Sequence, residues 1–380
     1  VKKPAKEISP AIGAGPEPLV ADAVREKLLL WYSQHARMLP WRASTDPYPI
    51  FLSEVILQQT RVAQGLPYFE RFLEAFPSLE NLAQAPEEQV MRLWQGLGYY
   101  SRARNMHAAA KKLATNGWPK TAAELQKLPG IGPYTAAAIA SLAFGEPVPV
   151  LDGNVARVLA RWLDIEADIA KPATQNAMRA WARQYMGGAD PARFNQAMME
   201  FGALHCTPAT PKCSLCSLQT LCLAYQNNTV ALRPVKAKAG AKKERFLAYI
   251  VVTNSLGQVL VTQRKGRGIW QNLYTFPELE GEAQMPNRQQ LAGALQTLFA
   301  DLAPLAILLY NQTTAETIWQ GVHLLSHQRL QISVLRHAQC INLPAPQGHS
   351  WVSLAMLQNL AKPVPIVKAT EILVLERGRS

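Results

Sequence analysis

Two carboxylates, a glycine-bearing turn and a run of cysteines are the groups in this chain whose types and spacing could do chemistry. Glu54 lies in Ile50-Phe-Leu-Ser-Glu-Val-Ile-Leu-Gln-Gln-Thr-Arg-Val62, with Phe51, Leu52, Val55, Ile56 and Leu57 around it. A carboxyl buried in such a setting has a raised pKa and can hold a proton near neutral pH. On a helix, Glu54, Gln58 and Arg61 fall at i, i+4 and i+7 on one face, which is also the pattern of an ordinary solvated stripe. Asp152 follows a Gly/Pro-containing stretch, Gly145-Glu-Pro-Val-Pro-Val-Leu-Asp-Gly-Asn-Val155, and by itself reads as the N-cap of a helix through Val155–Leu163. Between two helical stretches stands Leu128-Pro-Gly-Ile-Gly-Pro-Tyr-Thr-Ala136. There Gly130 and Gly132 permit a tight turn with uncovered backbone N–H groups at the positive end of the next helix, a seat for phosphate.

Four of the five cysteines fall in one run, Cys206-x6-Cys213-x2-Cys216-x5-Cys222. Four thiolates can enclose one zinc ion or one iron–sulfur cube. Zinc ribbons show two tight pairs, and here only one pair is tight; spacing alone leaves zinc and iron–sulfur equal. Cys340 stands apart and reads as an ordinary buried or semi-buried thiol.

These groups need a scaffold, and 380 residues with 48% hydrophobic content are enough for two or three domains. Residues 1–20, rich in Pro, Gly and Ala, read as a disordered arm. From 21 to 225 the pattern is helical, over Ala21–His35, Asp46–Phe76, Pro86–Trp94, Ala103–Asn116, Thr135–Phe144 and Phe194–Leu204 among others, with short Pro- and Gly-bearing loops between. Residues 226–245 have no periodicity and carry Arg233, Lys236, Lys238, Lys242, Lys243 and Arg245. They read as a linker, either a basic strap across a phosphate backbone or a solvated tether. Phe246–Thr253 and Val259–Arg264 flank a turn-like segment and read as a hairpin; Gln289–Leu302 reads as a helix, and His323–Leu330 and Gln331–Arg336 as strands. Residues 246–365 form an α+β domain on this reading, and 366–380 a tail. A net charge of +12 favours a polyanionic partner, though a basic protein with no nucleic-acid partner has the same charge. The absence of a membrane-length apolar run or signal-peptide pattern sets the expectation of a soluble intracellular protein with no membrane partner.

The four-cysteine spacing resembles that of the endonuclease III and MutY families, and Ser53-Glu-Val-Ile-Leu-Gln-Gln-Thr-Arg-Val62 resembles the MutY signature. Leu128–Ala136 followed by Asp152 resembles the helix–hairpin–helix glycosylase superfamily. Together these imply an all-α helix–hairpin–helix glycosylase domain with an iron–sulfur (4Fe–4S) cluster on Cys206, Cys213, Cys216 and Cys222. Glu54 is then the general acid that protonates adenine N7, and Asp152 the anion that stabilises the oxocarbenium ion or a covalent intermediate, one acid and one carboxylate as in glycosidases. Tyr134 and Asn154 support the site. Bifunctional relatives carry a Lys where Tyr134 stands, and a phenol cannot form the imine that strand cleavage needs, so the resemblance implies a monofunctional enzyme. The target base must be flipped from the duplex. The resemblance puts Gln59 and Thr60 against the widowed base, Tyr99 as a wedge, Gln196 at the adenine edge and Arg42 at the pocket wall.

Gly268-Ile-Trp-Gln-Asn-Leu-Tyr-Thr-Phe-Pro277 resembles a MutT-like (Nudix) fold whose metal-binding glutamate helix is missing, hence a lesion-reading module without hydrolase activity. The family's Phe-Ser-His recognition loop reads Leu325-Ser326-His327 here, so Ser326 and His327 are expected to contact the oxidised base and Leu325 departs from the pattern. The implied partner is double-stranded DNA carrying 8-oxoguanine:adenine or guanine:adenine mispairs, bound by a monomer in a bacterial cytoplasm. An endonuclease III-like or thymine-mismatch glycosylase is the alternative, and a non-catalytic DNA-binding protein with a cluster is a third reading.

Overall fold

Apolar residues at helical spacing through the first two hundred positions become helices because each can bury one stripe against its neighbours. The computed structural model describes residues 15–237, 240, 242–266, 268–299, 315–338 and 340–377. The described residues form two compact units, one from Val1–Ala83 and Ala108–Ala239, the other from Gln84–His107 and Gly240–Ser380.

The first unit is all-α. Its core gathers Leu28, Phe51, Phe69, Phe72, Leu159 and Phe201, all nearly inaccessible to solvent. The expected helix over Asp46–Phe76 is two helices, Pro47–Ile56 and Val62–Ala75, separated by a turn in which Gln59 takes φ 58°. Gln58 and Arg61 therefore lie beyond the helix that carries Glu54, and the expected shared face does not exist. The helix Pro133–Phe144 opens with Pro at its first position and ends on Gly145 in the left-handed region. The helix Gly153–Trp162 is capped by Asp152, whose side chain accepts from the Val155 N–H at 2.7 Å.

The second unit is α+β. Strands β1 (Lys243–Val251), β4 (Glu278–Gly281), β5 (Ala315–Leu324) and β6 (Gln328–His337) make one sheet in the order β4-β1-β6-β5. Strands β2 (Val259–Gln263), β3 (Tyr274–Thr275) and β7 (His349–Val352) make a second in the order β3-β2-β7. β1 pairs parallel with β6 and antiparallel with β4. The helix Arg288–Leu298 covers a core of Ala248, Ile250, Leu260, Leu291, Leu295 and Phe299.

Four expected boundaries are corrected. The turn after Val252 forms, with the Leu260 N–H on the Val252 carbonyl at 3.0 Å, but its two strands enter different sheets rather than one hairpin. Residues 226–235 are anchored at Arg233 rather than a free linker: Arg233 is 6% exposed and bridges Asp164 at 2.7 Å and Glu166 at 2.9 Å, so it is not held out for phosphate. The expected tail from 366 lies mostly in the helix Val364–Arg377, which buries Ile366, Ala369 and Thr370. Residues 84–107 pack with the second unit, not with the helical half to which they were assigned. Of the expected arm, residues 1–14 lie outside the described residues, and Pro18 already opens a helix. Among the described residues no helix is long and apolar enough to cross a membrane.

Candidate active site

The helix Pro47–Ile56 is buried along most of its length, and this places the Glu54 carboxyl inside the first unit at 7% exposure. Burial pushes its pKa up to about 7, with neighbouring Asp152 acting in the same direction, while hydrogen bonding from Tyr134 and the charge of Arg42 pull the other way. The Tyr134 hydroxyl, held neutral by burial, also donates to Met199 Sδ at 3.3 Å. Asp152 too is raised by burial, and the Val155 N–H and the Asn154 amide, which donates at 2.9 Å, offset part of the rise. Two carboxyls of different environment thus face one space: Glu54, Tyr134, Asp152 and Asn154 line the same cavity as Arg42, Thr60 and Gln196. An adjoining cleft, also lined by Glu54, Tyr134 and Asp152, takes in Gln59, Gly130 and Gly132. Gly130 has φ 71°, so the turn needs a glycine there. Gly132 is extended with nothing near its missing side chain, and leaves the helix N-terminus open.

Sequence reasoning missed an ion cluster on the wall of this cavity. Glu200 is 1% exposed and accepts from Arg37 Nη2 at 2.7 Å and from Arg42 Nη2 at 2.8 Å. Burial alone would raise its pKa, but the two guanidinium groups overcome that and hold it at about 2. The signal was present: Glu200 lies four residues after Gln196 on the helix Pro191–Leu204 and shares its face. Gln196 accepts from the Tyr32 hydroxyl at 2.7 Å, which orients its amide. Gly202 was also missed. A Cβ there would stand 2.7 Å from the Asn154 Cβ, so only glycine lets this helix approach the turn that carries Asp152 and Asn154.

The four cysteines of the run line one cavity in the first unit, with Arg161, Trp162 and Phe201 among its walls. Burial raises Cys216 to about 11 and Cys222 to about 12, so as free thiols they are protonated. Arg161 Nη1 lies 3.3 Å from Cys206 Sγ. Arg157 ties this loop to the carboxylates, donating to the Cys206 carbonyl at 2.9 Å and to Asn154 Oδ1 at 2.9 Å. Among the described residues no three His, Cys, Asp or Glu side chains converge as a single metal ion requires.

In the second unit, Ser326 and His327 lie in the turn between β5 and β6, not in a strand as expected. They line one cavity with Tyr99, Arg104, Arg245 and Trp270. Ser326 Oγ and His327 Nδ1 are 3.1 Å apart, and Lys242 Nζ donates to the Leu325 carbonyl at 2.7 Å. Of the two adjacent tyrosines, Tyr100 is buried and Tyr99 is 42% exposed with φ 46°.

Residues 52–184 match the HhH-GPD superfamily of base excision DNA repair proteins, and residues 248–371 match the NUDIX domain. The chain is 36% identical to the adenine DNA glycosylase of Mus musculus over 401 aligned residues, covering 90% of this chain and 76% of the mouse protein. The chain belongs to the adenine DNA glycosylase family. It is also 35% identical to the adenine DNA glycosylase of Homo sapiens, over 87% of this chain and 70% of that one. The adenine DNA glycosylase of Buchnera aphidicola subsp. Baizongia pistaciae is 35% identical over 67% of this chain and 73% of its own length. As a DNA glycosylase of this family, the chain has a helix–hairpin–helix unit and a Nudix-like unit, the two-part architecture expected from its motifs.

Proposed function

We propose that this protein is a monofunctional glycosylase that flips adenine out of a duplex, opposite 8-oxoguanine or guanine, and hydrolyses its N-glycosidic bond. The observation that carries the reading is the pairing of Glu54, pushed to about 7 by burial, with Asp152 across one cavity. A group with that pKa is an acid at neutral pH. Glu54 gives its proton to adenine N7, so the base leaves neutral; the N9–C1′ bond breaks, and the sugar becomes an oxocarbenium ion. Asp152, oriented by Val155 and Asn154, stabilises that cation until water adds at C1′ and loses a proton. Tyr134 holds the Glu54 carboxyl and offers no amine, so no imine forms and the strand is not cut. Gln196 reads the adenine edge, with Arg42 and Thr60 on the wall of the same cavity. Gly130 and Gly132 seat a backbone phosphate, while Gln59 and Tyr99 fill the space that the flipped base leaves.

Cys206, Cys213, Cys216 and Cys222 would hold a 4Fe–4S cluster. Their fit is supported by the chemistry of the donor set, four soft thiols lining one cavity. When bound, the cluster supplies iron–thiolate bonds that fix the loop on Arg157 and Arg161. Ser326 and His327 read the oxidised guanine from the second unit.

The test is a duplex with adenine opposite 8-oxoguanine. Free adenine and an abasic site are expected, with nicking only after alkali. Equal release from A·T pairs, or none from the mispair, refutes the proposal. A brown protein with broad visible absorbance is expected for the cluster, and a colourless zinc protein refutes that part.

A further inference from the structure

The six residues Gln95–Tyr100 present Tyr99 to solvent on a backbone with three positive φ values, 102° at Gly96, 74° at Gly98 and 46° at Tyr99. A bulky residue in the left-handed region persists only where its surroundings hold it. Both ends of this loop are tied to one distant residue. Gln95 Oε1 accepts from the Lys362 N–H at 3.0 Å, and the Tyr100 hydroxyl donates to the Lys362 carbonyl at 3.0 Å. Inside the loop, Trp94 Nε1 donates to the Gly98 carbonyl at 2.9 Å, and Arg102 Nη2 lies 3.3 Å from the carbonyls of Leu97 and Gly98.

Lys362 is itself an unusual residue to find buried: it is 1% exposed, and among the described residues no carboxylate pairs with it. Its ammonium donates to the carbonyls of Leu357, Gln358 and Leu360. They belong to the last turn of the helix Leu354–Asn359 and to its C-cap Leu360, where carbonyls run out of helical N–H partners, and an ammonium has three donors for the three acceptors. The Ala361 carbonyl accepts from the Tyr274 N–H of β3 at 2.9 Å, which anchors the same turn to the sheet.

We propose that Lys362 is a positioning residue: by clamping residues 357–360 with its ammonium it fixes its own backbone, which in turn holds the Gln95–Tyr100 loop and keeps Tyr99 in the conformation that enters the duplex. The inference rests on the wedge reading of Tyr99 given above. It makes the Nudix-like unit a support for the base-flipping loop as well as a reader of the opposite base.

The experiment uses the full chain in a Glu54→Gln background, where excision is expected to be slow enough for the flipped state to be read. The probe is a duplex carrying 2-aminopurine at the target position opposite 8-oxoguanine, whose fluorescence rises when the base leaves the stack. Tyr99→Ala sets the signal that remains without the wedge. Lys362→Met and Tyr100→Phe are each expected to lower the rise severalfold while duplex affinity changes much less. Tyr99→Ala combined with Tyr100→Phe is expected to fall no further than Tyr99→Ala alone, because the hydroxyl acts through the wedge. Should Lys362→Met fail to fold, Tyr100→Phe and Gln95→Ala carry the test. A full rise in Tyr100→Phe and Gln95→Ala, with a loss in Tyr99→Ala, overturns the role of Lys362 and leaves the wedge standing. A full rise in Tyr99→Ala overturns the wedge itself and the inference with it, and additive losses overturn the coupling.

Discussion

Glu54 is held where its chemistry is useful and its charge is costly. Its carboxyl ionises near the usual 4.5 in the unfolded chain and at about 7 in the folded one. Between those values the folded state binds more protons than the unfolded state, so stability falls as pH rises from about 4.5 to 7 and then levels off. The full difference is about 3 kcal/mol, from about 1.4 kcal/mol per pKa unit. Two outcomes follow for Glu54→Gln. Adenine release should drop by roughly 10²–10⁴-fold, the range for loss of a general acid, with DNA binding retained. Denaturant unfolding should lose part of its pH dependence between 5 and 8, leaving the variant more stable than the parent at the alkaline end. In the parent, release should decline above pH 7 as the acid is lost, measured as single-turnover rate against pH. A flat profile, or a fully active Gln variant, removes Glu54 from the role of acid. The residue was legible because Phe51, Leu52, Val55 and Ile56 announce burial on any helical register. Glu200 stands in an equally apolar run, Ala197-Met-Met-Glu-Phe-Gly-Ala-Leu204, and shares a face with Gln196, but its partners Arg37 and Arg42 lie 163 and 158 positions away and leave no local trace of the ion cluster.

Asp152 serves an element and, on the proposed mechanism, a reaction as well. It caps the helix Gly153–Trp162 and the same carboxyl faces the cavity with Glu54. The two duties separate by substitution. Asp152→Ala removes the cap and should cost about 1 kcal/mol. Asp152→Asn keeps an acceptor for the Val155 N–H and should cost less, although its amide then meets that of Asn154. Both lose the anion, so both should lose release by roughly 10²-fold or more. Thermal denaturation beside adenine release decides: if Asp152→Asn is stable and active, the residue is a cap alone. A second element depends on one glycine. Gly130→Ala places a Cβ at φ 71°, which should cost about 1 kcal/mol and weaken duplex binding without altering the pH profile of release. Titration of a non-cleavable duplex checks this, and unchanged affinity would remove the turn from the phosphate seat. Element types were legible from periodicity and caps, but several ends were not. The chain from Asp46 to Phe76 is apolar at helical spacing throughout, and the break at Leu57–Thr60 comes from the left-handed Gln59. No Gly or Pro marks that break.

At the scale of the molecule, the boundary between halves was drawn by composition at the basic segment, and the structure divides the chain differently. Gln84–His107 reads as helical and precedes the hairpin, yet it packs with Gly240–Ser380. Bonds such as that from Arg104 Nη1 to the Gln271 carbonyl, at 2.7 Å, span 167 positions and leave no local trace. The second unit therefore holds Tyr99, Ser326 and His327 around one cavity, while both carboxylates belong to the first. This division predicts that reading and excision separate. Ser326→Ala removes one exposed hydroxyl in the β5–β6 turn, in the unit that holds neither carboxylate. A lost hydrogen bond of about 0.5–1.5 kcal/mol corresponds to roughly a 2- to 12-fold change. The preference for adenine opposite 8-oxoguanine over adenine opposite guanine should shrink by that factor, through slower capture of the oxidised mispair. Release from the guanine mispair should stay at the parent rate. Competition between the two duplexes in one tube gives the ratio directly, free of differences in active fraction. A Ser326→Ala protein that slows equally on both mispairs would place the hydroxyl in excision instead, and one with an unchanged ratio would leave the turn without a part in lesion reading.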